Sequence, residues 1–255
     1  MYTLLSLFDY SGHWSAPFAR NGWQVIQWDI KLADFMDAMF FDSVETALET
    51  LDSVDGIIAA VPCTDFASSG AWTWPAKDAD GRSARSVELV HQVLRLVNLF
   101  RPTDPDYDGP FFWAVENPVG RIKRMTGLPG EAFWFHPCDY AGLLAPTPQD
   151  LDKLDRIRRK GGIGVTASEN DFVIRTNAYS KRTGLWGEFN RAGLEALKQR
   201  IEPVPTSPQG SFSQRIGGTS ARTKEIRSNT PLGFAEAFFK ANHDHRICPL
   251  AEYDC

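Results

Sequence analysis

The sequence predicts an α/β fold, a parallel sheet with helices on both faces. Three observations predict it. Short apolar runs alternate with helical stretches through residues 1–120, and strands alternating with helices build parallel sheets. The central run, Gly56–Val61, is continuously apolar, as a buried strand reads. Residues capable of chemistry stand just past the ends of such runs, at Asp9–Gly12, Asp29, Pro62-Cys63 and Glu116-Asn117, where open α/β sheets bind ligands.

The elements follow in order. Tyr2–Phe8 reads as a buried strand and Asp9–Gly12 as the turn after it. Ser15–Asn21 is a first helix closed by Gly22. Trp23–Trp28 is a second strand ending at Asp29. A glycine in the first turn and an acid ending the second strand match nucleoside-binding folds, where that acid holds ribose hydroxyls; one glycine is a weak fingerprint, and a solvated cap is the plain alternative. Ala33–Phe40 is a weaker short strand, and Ser43–Leu51 a helix with Ser43 as N-cap and Glu45 and Glu49 early. The strand Gly56–Val61 stops at Pro62-Cys63, and residues 64–84 form a long loop, the kind that carries function or moves.

Ser86–Phe100 is an amphipathic helix with Val87, Val90, Val93, Leu94 and Val97 on one side. After the Pro/Asp-rich connection Arg101–Pro110, Phe111–Val115 is a buried strand ending in Glu116-Asn117-Pro118. Beyond it the pattern loosens. Glu131–Phe135 and Asp171–Thr176 read as strands, and Pro148–Lys160 and Arg191–Arg200 as helices. Pro203–Arg227 has no periodicity, and Pro231–Ala241 is an apolar-faced helix with Pro231 in its first turn.

Composition bounds the function. The chain has 255 residues and is 43% hydrophobic, enough for one sizeable core. No apolar run reaches the roughly 18 residues of a membrane span, and the first residues lack a basic start and carry Asp9. A first strand is expected there, and no signal peptide or membrane association. Cys63, Cys138, Cys248 and Cys255 form no CxxC pair, which points to reduced thiols inside a cell, in the cytoplasm. The net charge is −5, unevenly spread. Residues 151–228 hold fifteen Lys and Arg against eight Asp and Glu, the pattern of an acidic scaffold with one basic surface; a solvated charged face is the plain alternative.

Two strands ending in Pro62-Cys63 and Glu116-Asn117 bring a thiol and a carboxyl to one sheet edge. Either residue alone is compatible with a structural role. Together they suit nucleophilic attack on an electron-poor ring, with the thiolate adding and the acid hydrogen-bonding a ring nitrogen.

At these residues the chain resembles the cytosine-5 DNA methyltransferases, and especially their short phage and prophage members. Leu7-Phe8-Asp9-Tyr10-Ser11-Gly12 is similar to their first cofactor motif, with Asp9, Tyr10 and His13 in place of small residues. Asp29 matches the ribose-binding acid, and Ala33-Asp34-Phe35 resembles the segment that contacts the adenine. Pro62-Cys63-Thr64-Asp65-Phe66-Ala67-Ser68 resembles the catalytic Pro-Cys-x-x-Phe-Ser loop with Ala67 inserted, and Glu116-Asn117-Pro118 the Glu-Asn-Val motif. Ser228-Asn229-Thr230 is similar to the Gly-Asn-Ser turn, and Tyr179–Gly187 to a block of the small phage members. The likeness covers most of residues 3–120 and the last fifty or so.

The resemblance implies a Rossmann-like methyltransferase sheet over residues 1–145, a small basic target-recognition region at 146–227, and a C-terminal helix returning to the core at 228–255. It implies S-adenosylmethionine held by Phe8, Asp9, Gly12, Asp29, Ile30, Asp34, Pro62, Asn229 and Thr230. Cys63 would attack C6 of a flipped-out cytosine, Glu116 would bind N3 and the exocyclic amine, and Arg182 would touch the target base or its phosphate. The implied partner is DNA, double-stranded, with a monomer favoured. Arg156, Arg158, Arg159 and Lys160 would supply phosphate contacts, and the 64–84 loop would close with Trp72 or Trp74 stacking or filling space. RNA, a free pyrimidine nucleotide, or a non-catalytic nucleic-acid-binding role remain alternatives. No metal is expected, since His243, His245 and Cys248 lack an obvious fourth ligand.

Overall fold

The computed structural model describes residues 1–29, 51, 53–104, 106–161, 168–203, 220 and 228–244. The expected strand Ala33–Phe40, nearly all of the helix Ser43–Leu51, Ile30, Asp34, nearly all of Pro203–Arg227, His245 and Cys248 lie outside them.

The chain runs β1 Thr3–Leu7, α1 Ala16–Arg20, β2 Gln24–Trp28, β3 Gly56–Ala60, α2 Trp74–Ala79, α3 Arg82–Phe100, β4 Phe112–Pro118, α4 Ile122–Thr126 and β5 Phe133–Phe135. It continues through α5 Pro148–Arg159, α6 Glu169–Asn177, β6 Thr183–Glu188, α7 Arg191–Ala196 and α8 Leu232–Asn242. Among the described residues one six-stranded sheet has the order β2-β1-β3-β4-β6-β5. The first four strands are parallel, and β6 is antiparallel to both of its neighbours. The strands of the first 120 residues thus form the expected parallel sheet, and β6 and β5 extend it into a mixed one.

Strand alternation divides the core into two layers. Leu5, Ile57 and Trp113 face one side and pack under Val90, Val93, Leu96 and Val97 of α3. Leu4, Ile58 and Phe112 face the other and pack against Phe18 of α1, Leu194 of α7 and Phe234 and Phe238 of α8. Helices therefore cover both faces, as the α/β expectation requires. Burial of each such large side chain contributes roughly 1.5–3 kcal/mol. Gly56 opens β3 because a Cβ there would come within 2.4 Å of the Phe112 ring.

Three local expectations fail for physical reasons. Asp171–Thr176 is not a strand but part of α6. The Ser168 hydroxyl accepts from the Asp171 N–H at 3.1 Å, capping it, and Phe172 and Val173 pack on Leu154 of α5. Residues 64–84 are not an open loop: they hold the 3-10 turns Cys63–Asp65 and Ser68–Thr73, then α2 and the first turn of α3. The helix expected over Arg191–Arg200 ends at Ala196. Conversely, Thr183–Glu188 contains Gly184 and Gly187, poor strand formers, yet pairs with β4 from Trp113–Glu188 to Pro118–Thr183. No helix among the described residues is long and apolar enough to cross a membrane.

Candidate active site

The chain leaves β1 for β2 on one side, then reaches β3 on the other. The strand order reverses between β1 and β3, and ligand crevices form outside the carboxyl ends of strands at such a point. Leu7 pairs with both Trp28 and Ala59, and Ala60 with Glu116. The turn Phe8–Gly12, Asp29, Pro62-Cys63 and Glu116-Asn117 consequently stand along one edge of the sheet.

The first turn is strained at its entry. Phe8 has φ +59°, the left-handed region, which costs a non-glycine residue about 1–2 kcal/mol. Its N–H donates to the Trp28 carbonyl at 2.7 Å. Gly12 has φ +66°, and its N–H donates to the Asp9 carbonyl at 2.9 Å. From β2 the Gln27 amide donates to the carbonyls of Asp9 and, at 3.2 Å, Tyr10. Sequence reading passed over Gln27, because a polar residue in a strand carries no signal until its neighbours are known.

Asp9 points inward. Its Oδ2 accepts from the Ser15 N–H at 3.1 Å, the Ser15 hydroxyl at 3.0 Å and the Ser6 hydroxyl at 3.1 Å. Burial pushes the carboxyl above its ordinary range, opposed by these hydrogen bonds. Asp9 thus braces the start of α1 with Oδ2, while its Oδ1 accepts from the Ser11 hydroxyl of the turn at 3.4 Å. Phe8 and Trp28, with Leu7, Leu89, Gln92, Val93 and Leu96, line an apolar crevice beside that turn. Asp29 is half-buried at the end of β2.

Cys63 is half-buried at the head of its 3-10 turn. Its carbonyl accepts from the N–H groups of Phe66 and Ala67 at 3.1 and 2.8 Å. Exposed Pro62 ends the strand before it. Glu116 and Asn117 lie inside β4, which runs two residues beyond Glu116. The Glu116 side chain is buried, and its Oε1 has no hydrogen-bond partner among the described residues. Burial raises its pKa, and the charge of Lys181 opposes the shift. Burial and Glu116 together push the Tyr179 phenol up. Asn117 is fully buried; its amide donates to the Val61 carbonyl at 3.0 Å, while its Oδ1 is unpartnered among the described residues.

Arg182 is not brought to this carboxyl. It is exposed, and its guanidinium lies 4.4 Å over the Trp134 ring of β5. Lys181, one residue earlier, is the cation whose charge reaches Glu116. Period-2 reading through Tyr179, Lys181 and Thr183 would have singled it out, had residues 183–188 been recognised as a strand. Thr230 is buried and Asn229 half-buried at the head of α8. Phe234 and Phe238 of that helix meet Trp14, just past Gly12, at ring distances of 5.7 and 5.3 Å. The start of α8 is thereby packed against the segment that follows Gly12.

The two loop tryptophans differ. Trp72 is 85% exposed, whereas Trp74 lies under the Arg121 guanidinium at 4.5 Å. On α5 Arg156 and Arg159 are exposed, as is Lys160 just past its end, and Arg158 pairs with Asp155 at 3.6 Å. No cluster of three or more His, Cys, Asp or Glu placed to hold a metal occurs among the described residues.

No family model and no curated protein matches the chain. Among solved structures that match is a proposed DNA modification methyltransferase encoded within an E. coli prophage. It is 15% identical, over 87% of this chain and 56% of its own, with a TM-score of 0.34. The chain thus spans little more than half the length of that protein.

Proposed function

We propose that the chain is an S-adenosylmethionine-dependent DNA methyltransferase acting at C5 of cytosine. The observation that carries the proposal is the pairing of Cys63 with Glu116 on adjacent strand ends. The thiol is half-buried, and the neighbouring carboxyl is buried with Oε1 unpartnered among the described residues. Its raised pKa favours the neutral acid, which can donate to a ring nitrogen. The charge of Lys181 opposes that shift.

The Cys63 thiolate adds to C6 of the pyrimidine, having given its proton to solvent. Glu116 donates to N3, so the electron pair displaced from the ring is held as an enamine with C5 nucleophilic. Bound S-adenosylmethionine would supply an electrophilic methyl group to C5, leaving as S-adenosylhomocysteine. Loss of the C5 proton to a base then re-forms the double bond and expels the Cys63 thiolate, and N3 returns its proton to Glu116.

The first turn would hold the cofactor. Phe8 and Trp28 offer an apolar crevice, Asp29 a carboxylate at the ribose position, and the turn ending at Gly12 its backbone. Asn229 and Thr230 would close the far side. Asp9 would act only through the shape of the turn. Ile30, Asp34 and Pro62 remain assignments by resemblance. The division into a core at 1–145, a recognition region at 146–227 and a returning helix at 228–255 belongs to the same proposal. Within that middle region β6 is a strand of the sheet and Leu194 of α7 packs in the core, so α5 and α6 are the described helices left to it.

The experiment is methyl transfer from tritiated S-adenosylmethionine to duplex DNA, RNA or dCMP, with Cys63→Ser as control. Label at cytosine C5 of DNA, absent in the variant, is expected. Label confined to RNA or nucleotide overturns the choice of DNA. No label and no cofactor binding by calorimetry overturns the enzyme reading.

A further inference from the structure

The segment leaving β4 holds the segment following β3, and one side chain makes most of the junction. Arg121 is buried, 6% exposed. Its Nε donates to the Asp65 carbonyl at 2.9 Å. Its Nη1 and Nη2 grip the Asp78 carboxylate at 2.8 and 2.7 Å, and Nη2 also donates to the Ser83 hydroxyl at 2.8 Å. The Trp74 ring lies 4.5 Å beneath the guanidinium. A planar fork that pairs bidentately and stacks on an aromatic face is what arginine offers and lysine does not.

The backbone reinforces the junction. Arg121 N–H donates to the Phe66 carbonyl, and Ser68 N–H to the Val119 carbonyl, both at 2.9 Å. Ala67 and Gly120 form an antiparallel bridge. A Cβ on Gly120 would stand 1.9 Å from the Phe66 carbonyl oxygen, so only glycine permits this approach. A second ion pair, Lys77 to Asp65 at 3.1 Å, ties α2 to the Cys63 turn, and the Ser86 hydroxyl donates to the same carboxylate at 2.6 Å.

We propose that Arg121 is a positioning residue for Cys63, with Asp78 as its outer anchor. The guanidinium grips the residue two past the thiol, yet its own backbone is rooted five residues past Glu116. Through this clasp, the end of the acid-bearing strand sets where the thiol stands. The anchor is the weak end, because the Asp78 side chain is 48% exposed while that of Arg121 is 5% exposed. Release of Asp78 removes the outer of the two ties on α2, leaves the Lys77–Asp65 pair, and loosens the Cys63 turn without disturbing the sheet. The proposal rests on the reading of Cys63 as the nucleophile.

The test uses the full chain with D78A, D78E and R121K. The first readout needs no turnover: the rate of Cys63 alkylation by iodoacetamide against pH, followed by peptide mass. The second is kcat and KM for methyl transfer. In D78A the alkylation rate should rise several-fold while kcat falls on the order of a hundredfold, the size expected for a misplacement near 1 Å. KM for S-adenosylmethionine should stay within about twofold, since the loss belongs to the chemical step. D78E should recover part of kcat, and R121K should resemble D78A. If R121K fails to fold, D78A decides alone. Unchanged alkylation and unchanged kcat in folded D78A, with only a lower melting temperature, overturn the proposal. If the wild-type chain transfers no methyl group, that failure falls on the proposed function, and the alkylation rates still decide the clasp.

Discussion

The amide of Asn117 donates to the carbonyl of Val61 across 3.0 Å of buried space. This bond joins the strand that carries Glu116 to the strand that delivers Cys63, two residues past Val61. It fixes the separation of the thiol and the acid at their bases, below the loop that Arg121 holds from above.

Asn117→Ala should therefore act on both stability and chemistry. It removes a buried donor and leaves the Val61 carbonyl unpaired, which costs about 1–3 kcal/mol. Urea denaturation measures that loss. The yield of trapped adduct with 5-fluorocytosine DNA should fall in the same variant at temperatures where it remains folded. Full adduct yield would mean that the strand ends need no such tie.

Glu116 makes stability depend on pH in a definite direction. Its folded-state pKa is raised above 4.5, chiefly by burial. The folded protein therefore binds its proton more tightly than the unfolded chain does, and stability falls as pH rises from the ordinary value through the raised one. Glu116→Gln should remove that slope, so the variant gains on the wild type in unfolding measurements as pH rises above the ordinary carboxylate range. It should also lose its proton donor, lowering kcat by about 10²–10⁴. A steep slope surviving in Glu116→Gln would assign the titration elsewhere, with Asp9, raised for the same reason, the first alternative.

Lys181→Ala and Arg182→Ala separate two neighbouring cations. The charge of Lys181 holds the Glu116 pKa down, so its removal should move the basic limb of the pH–rate profile upward. Arg182 lies on the Trp134 ring, and its loss should cost about 0.5–1 kcal/mol of stability with the pH profile unmoved. An upward shift in Arg182→Ala, with none in Lys181→Ala, would exchange the roles of the two cations.

Much of this was legible in the residues. Gly56–Val61 read as a strand because six apolar residues end abruptly at Pro62. The helix α3 read clearly because its valines recur at helical spacing. That Cys63 and Glu116 stand near one sheet edge was legible because strand ends in parallel sheets share an edge. What failed depended on partners far away in sequence. Phe172 and Val173 look like strand residues until Leu154 packs against them. Thr183–Glu188 looks like a loop until β4 supplies its hydrogen bonds. Asp9 looked like a ligand-facing substitution in a glycine turn, and only Ser6 and Ser15 reveal that it turns inward. Arg121 carried no signal, because its partners Asp65, Asp78 and Ser83 are brought to it only by the fold.

The basic side of the chain makes a prediction that the net charge of −5 conceals. Arg156 and Arg159 are exposed on α5 and direct their Nε groups to backbone carbonyls of their own helix, at 3.2 and 3.4 Å. Those bonds leave most of each guanidinium's donors to solvent or phosphate. Each phosphate neutralised releases counterions, so log affinity for duplex DNA should fall linearly with log salt, by about 0.9 per contact. Arg156→Ala with Arg159→Ala should weaken binding to all duplex sequences alike and lower the magnitude of the slope by about 1–2. Stability should change by less than about 0.5 kcal/mol, because both side chains are exposed. Filter binding or fluorescence anisotropy across a salt series measures the slope. A slope unchanged by both substitutions would move the DNA-facing surface away from α5.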